Sequence, residues 1–144
     1  MLIKPSAALA VAAILFSGSA WAETVEVKML NKGEAGAMVF EPGFVQIAPG
    51  DTVKFIATDK GHNAASIEGM IPEGAEPFDG KINEELEVTL DTEGLYAVKC
   101  TPHYAMGMVM TIAVGDGVEQ PEDYLEGRLP PNAKKRLSAE LENL

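Results

Sequence analysis

The chain has 144 residues, with 11 Lys and Arg against 22 Asp and Glu, a formal charge of −11 at pH 7. That balance excludes a protein that grips nucleic-acid phosphates, which needs a basic face. A single cysteine excludes an intramolecular disulfide framework.

In chain order, the first element is a leader. Lys4 precedes an apolar run from Ala7 to Phe16, shorter than the roughly 20 residues that a spanning helix needs. Ser17-Gly18-Ser19-Ala20-Trp21-Ala22 follows, with alanines at the −3 and −1 positions of a cleavage site. The pattern predicts a secretory signal peptide over residues 1–22, cut before Glu23. Residues 23–144 are then one domain, with a β-sandwich over 23–117 and a helical tail over 118–144. Without Lys4 the formal charge moves from −11 to −12. No other long apolar segment follows, so the mature chain is expected to be soluble.

Short alternating segments fill the first two thirds. Thr24–Leu30 alternates apolar and polar residues as a half-buried strand does, and Asn31–Gly36 reads as a turn before Ala37–Phe40. Phe44–Ala48 and Thr52–Thr58 are strands separated by Pro49-Gly50-Asp51, where proline supplies the fixed φ of a turn. His62–Ile67 allows a short strand, and Glu68–Asn83 is a glycine- and proline-containing loop. Leu86–Leu90, Leu95–Cys100 and Met108–Val114 complete the set. Short strands at this spacing indicate a β-sandwich rather than a βαβ protein. Beyond Gly117, Pro121–Leu125 opens with proline and acids, as a helix start does. Ala133, Leu137 and Leu141 then mark a second short amphipathic helix over 133–144.

The lone cysteine carries the chemistry. In an exported chain a free thiol is a liability, which leaves a buried small hydrophobe, an intermolecular disulfide or a metal-bound thiolate. Its neighbours favour the metal, because Cys100-Thr101-Pro102-His103 is followed by Met108. The other histidine of the chain is His62, in Gly61-His62-Asn63, also at a strand end. Either piece alone is weak; together they form a soft nitrogen-and-sulfur donor set. Structural zinc wants four Cys or His, and only three residues qualify. Haem attachment wants two cysteines before a histidine. Two His, one Cys and a weak axial Met suit one copper ion of the blue-copper, electron-transferring kind.

These residues resemble the cupredoxins and, within them, the pseudoazurin family. The matching segments are Met29–Gly33, Gly36–Pro42, Thr58–Asn63, Gly69–Pro72, Lys81–Glu84 and Lys99–Tyr104. Plastocyanins share the Cys-x2-His-x4-Met spacing, whereas azurins and amicyanins space the loop differently. The resemblance implies a mainly β, Greek-key sandwich with two short C-terminal helices. It implies His62, Cys100, His103 and Met108 as copper ligands, supported by Asn63, Thr101 and Pro102. It also implies a non-enzymatic periplasmic carrier that takes one electron from a donor such as a c-type cytochrome, and the small size of transient redox encounters suggests a monomer. The acceptor would be a denitrification reductase such as copper nitrite reductase.

Partner docking would use an apolar patch of Met38, Pro102, Ala105 and Met106, ringed by Lys32, Lys60, Lys81 and Lys99. Glu34, Glu68 and Asp79 stand in stretches where such proteins carry basic residues. A second reading is a periplasmic copper-trafficking or storage protein, for which the chain offers methionines, though scattered rather than in Met-x-Met repeats. A copper enzyme would need an open coordination position, which Met108 argues against.

Overall fold

The computed structural model describes residues 21–144. Of the expected leader only Trp21 and Ala22 fall within that range, both exposed; the rest lies outside the described residues. The strands are β1 (Thr24–Gly33), β2 (Gly36–Glu41), β3 (Phe44–Ile47), β4 (Asp51–Ile56), β5 (Ala65–Ser66), β6 (Leu86–Leu90), β7 (Gly94–Lys99) and β8 (Val109–Val114). A 3-10 helix spans Thr101–Met106, and α1 spans Pro131–Leu141.

The strands form two four-stranded sheets, ordered β2-β1-β4-β6 and β3-β8-β7-β5. The segment Asn31–Gly36, expected to be a turn, instead extends β1 and turns only between Gly33 and Gly36, where φ of Gly36 is 126°. β1 runs parallel to β4, and β3 runs parallel to β8. The alternation read from the sequence explains the core. Val27, Met29, Val53 and Phe55 of the first sheet meet Tyr96, Val98, Met110 and Ile112 of the second. A second cluster lies on the outer face of β7 and β8, where Leu95, Ala97, Val109 and Ala113 pack against Ala133, Leu137 and Leu141 of α1. β8 is therefore buried on both faces.

The helical tail differs from expectation. Pro121–Leu125 is a turn rather than a helix, held by the Tyr124 amide on the Pro121 carbonyl at 3.1 Å and the Glu126 amide on Asp123 at 3.1 Å. Gly127 and the Pro130-Pro131 pair follow too closely for that turn to propagate. One α-helix remains, starting two residues earlier than the apolar stripe suggested and ending three residues sooner, at Leu141.

Candidate metal centre

Strand parity brings the two ends of the ligand loop together. Tyr96, Val98 and Cys100 point to the inter-sheet core from one strand, and Met108, Met110 and Ile112 from its neighbour. The Cys100 amide donates to the Met108 carbonyl at 2.9 Å, one rung beyond the Lys99–Val109 pair. Between them the chain makes the 3-10 helix, with Pro102 in its first turn, where a missing N–H costs nothing. The Met108 amide donates back to His103 at 3.1 Å, and Gly107 closes the helix at φ 87°.

His62 arrives from the loop between β4 and β5. Asn83 fixes that loop at both sides: its Oδ1 accepts the Gly61 amide at 2.7 Å and its own amide donates to the His62 carbonyl at 2.9 Å. Asn63 then joins the two ligand loops. Its Oδ1 accepts the Thr101 amide at 2.7 Å, while Nδ2 donates to Thr101 Oγ1 at 3.1 Å and to the Gly80 carbonyl at 3.0 Å.

Three donors converge as a result. Nδ1 of His62 and Nδ1 of His103 are 3.1 Å apart, and Cys100 Sγ lies 3.7 Å from the first and 3.5 Å from the second. Ligands at about 2.0–2.3 Å from one ion stand roughly 3–4 Å from one another, so this spacing fits a single metal. His62 and Cys100 are fully buried, and His103 is half-buried. Met108 is also completely buried beside them in the core, whereas Met106, the other methionine of the loop, is 51% exposed.

Hydrogen bonding sets the state of each donor. Asn31 Oδ1 accepts from His62 Nε2 at 2.8 Å, which leaves the Nδ1 lone pair facing the thiol. Burial, and then the neighbouring His103, lower the His62 pKa against a weaker opposing pull from Asp59, which favours the neutral ring that can ligate a metal. Burial pushes the Cys100 thiol up, while the main-chain amides of Asn63 and His103 act on the sulfur in the opposite sense. A bound cation deprotonates a coordinating thiol outright, and those two amides then face a thiolate.

Of the residues expected to meet a partner, Pro102, Ala105, Lys32, Lys60 and Lys81 are exposed, and Met38 is half-buried with its side chain against the core. Lys99 is half-buried, with Nζ 5.1 Å from the centre of the Tyr104 ring. A groove of about 610 Å³ beside the centre is lined by Ser66, Phe78, Asp79, Lys99 and Thr101, but by none of the three donors. The supporting roles of Asn31 and Asn83 were not anticipated. Both sit in turn-like sequence, where asparagine is common for local reasons.

The family described as copper binding proteins, plastocyanin/azurin family, matches residues 27–115. The pseudoazurin of Paracoccus pantotrophus is 49% identical over 135 residues, covering 94% of this chain and 93% of that one. The pseudoazurin structure from Methylobacterium extorquens AM1 superposes with a TM-score of 0.79 at 43% identity, over 83% of this chain and 98% of that one. That of Hyphomicrobium denitrificans gives 0.75 at 44% identity, over 84% and 98%. The chain belongs to the plastocyanin/azurin family of blue-copper electron-transfer proteins and, within it, to the pseudoazurins. Its cofactor is one type 1 copper ion, and its work is to carry electrons rather than to catalyse a reaction.

Proposed function

We propose that His62, Cys100, His103 and Met108 hold the copper and that the mature protein, residues 23–144, shuttles single electrons in the periplasm. The donor would be a c-type cytochrome and the acceptor a denitrification reductase such as copper nitrite reductase. The observation that carries the ligand assignment is the convergence of Nδ1, Sγ and Nδ1 within 4.8 Å, on two loops tied by Asn63. When bound, copper supplies a one-electron couple between Cu(I) and Cu(II).

The chain's own residues do the rest. Asn31 orients His62, Asn63 locks the loops, and the amides of Asn63 and His103 face the sulfur. Such outer bonds hold donors in place and tune a metal's potential. His103 is the one donor of the three that reaches the surface, among exposed Pro102, Ala105 and Met106. That small apolar area lets a partner approach the imidazole and exclude water, and supports a transient encounter between monomers. Among the described residues no helix is long and apolar enough to cross a membrane.

Trafficking or storage is the weaker reading. Sites that release copper need accessible donors, and three of the four proposed ligands are fully buried. Met29, Met70 and Met110 are core residues as well.

The test is visible absorption of the purified protein with Cu(II). An intense blue or green thiolate-to-copper band is expected, and Cys100→Ser should abolish it. A colourless copper protein, or a Cys100→Ser variant with an unchanged spectrum, would contradict the ligand assignment.

A further inference from the structure

The C-terminal helix supplies no metal donor, yet one of its side chains reaches the ligand loop. Arg136, in the second turn of α1, donates from Nη1 to the Gly107 carbonyl at 2.6 Å and to the Met38 carbonyl at 2.7 Å. Its Nη2 donates to the Ala37 carbonyl at 3.3 Å. One turn earlier Asn132 donates from Nδ2 to the Ala105 carbonyl at 3.3 Å. The contact leaves no slack, because a Cβ on Gly107 would lie 2.9 Å from the Asn132 carbonyl oxygen.

The chemistry of the fork matters here. A guanidinium is planar and permanently charged, with donors set at fixed angles, so it fixes the direction of the carbonyls it binds. The nearby carboxyl of Glu140 feels the guanidinium charge but makes no hydrogen bond with it. Glu140, four residues on, is buried, takes a hydrogen bond from Thr111 Oγ1 at 3.2 Å and has its carboxyl pushed up to about 9, chiefly by burial. The fork therefore joins two segments remote in sequence: the β1–β2 hairpin, and the peptide that leads into Met108. Met38 itself holds a left-handed backbone at φ 52°, a conformation that surrounding structure must enforce.

We infer that Arg136 is a positioning residue for the metal centre: by pinning the Gly107 carbonyl against the Met38 carbonyl, it fixes the main chain that enters Met108. This rests on the proposal that Met108 is the axial ligand. The thioether's approach to the metal is then set partly from α1, outside both ligand loops. Because the axial ligand tunes a site of this type, releasing Gly107 changes the metal's electronic character without removing a donor.

Three variants test this: Arg136→Met, Arg136→Lys and, as a control, Leu141→Ala, which weakens α1 packing and leaves the fork intact. The first readout needs no metal. Amide exchange of Met108, bonded to His103, should quicken by about tenfold or more in Arg136→Met, the scale expected for losing a charged hydrogen bond. Amides within β7 should be unchanged. The second readout is the intensity ratio of the thiolate-to-copper bands, with the reduction potential. Both should shift in Arg136→Met and return part-way in Arg136→Lys, while Leu141→Ala lowers the unfolding midpoint and moves neither. Met108 exchange and band ratio both unchanged in Arg136→Met would overturn the inference, as would a Leu141→Ala shift equal to that of Arg136→Met. A colourless wild-type copper protein would instead refute the ligand assignment, and the exchange data would still decide whether Arg136 holds the loop.

Discussion

Asn63 is the residue on which the geometry of the two loops turns. Its side chain makes three hydrogen bonds and is almost wholly buried, so Asn63→Ala strands the Thr101 amide and the Gly80 carbonyl. The expected cost is about 1–3 kcal/mol, measured by urea unfolding of the metal-free protein. A stability equal to wild type would mean that water replaces the amide without loss. At this scale the site was partly legible. Cys100, His103 and Met108 lie within one nine-residue stretch that holds the single cysteine and one of two histidines, and counting histidines left only His62. Asn31 was not legible, because its meeting with His62 depends on β1 lying parallel to β4, a pairing that no local pattern announces. Lys99 differs for a similar reason: its contact with Tyr104 arises from the fold of the loop.

Between elements, the packing of α1 on β8 contains a feature that helical periodicity would not suggest. Glu140 lies on the buried face beside Thr111, and Gly43 leaves room for its carboxyl, with a Cβ there only 3.0 Å from Oε2. Its folded pKa is raised from 4.5 to about 9, so the folded state keeps a proton that the unfolded chain has already released. The stabilising neutral form is fully favoured below 4.5, and that advantage declines as pH rises towards about 9. Glu140→Gln should therefore raise the urea midpoint more at about pH 8 than at about pH 5. An equal effect at both values would show that Glu140 is ionised in the folded protein. Strands β1, β4 and β6 were readable from alternation, since each buries one clear face, whereas β7 and β8 are short apolar runs covered on both faces. Pro121–Leu125 misled because a helix-start signal says nothing about whether enough chain follows to propagate it. Its Tyr124 is anchored by tertiary contact instead, with the hydroxyl donating to the Met70 carbonyl at 3.2 Å.

For the whole molecule the charge distribution sets how partners are met. The chain is strongly acidic, yet Lys32, Lys60 and Lys81 are exposed. A local basic field can steer an encounter even on an acidic body, and it is screened over about 10 Å at 0.1 M salt. If these lysines steer docking, Lys32→Ala and Lys60→Ala slow electron transfer to an acidic partner at low salt and lose that effect at high salt. Rates that ignore ionic strength would remove the lysines from the docking account. The sheet order has a further consequence, concerning time. β8 lies between β3 and β7, and its pairing with β3 joins residues 44–47 to 111–114. The last strand is thus interior to its sheet, and the Cys100–Met108 side of the donor cluster cannot be set until that strand has arrived. A chain in which β8 has not yet docked holds the cysteine without its cage. Once folded the thiol is fully buried even without metal, so the time before β8 docks is when it is most open to oxidation.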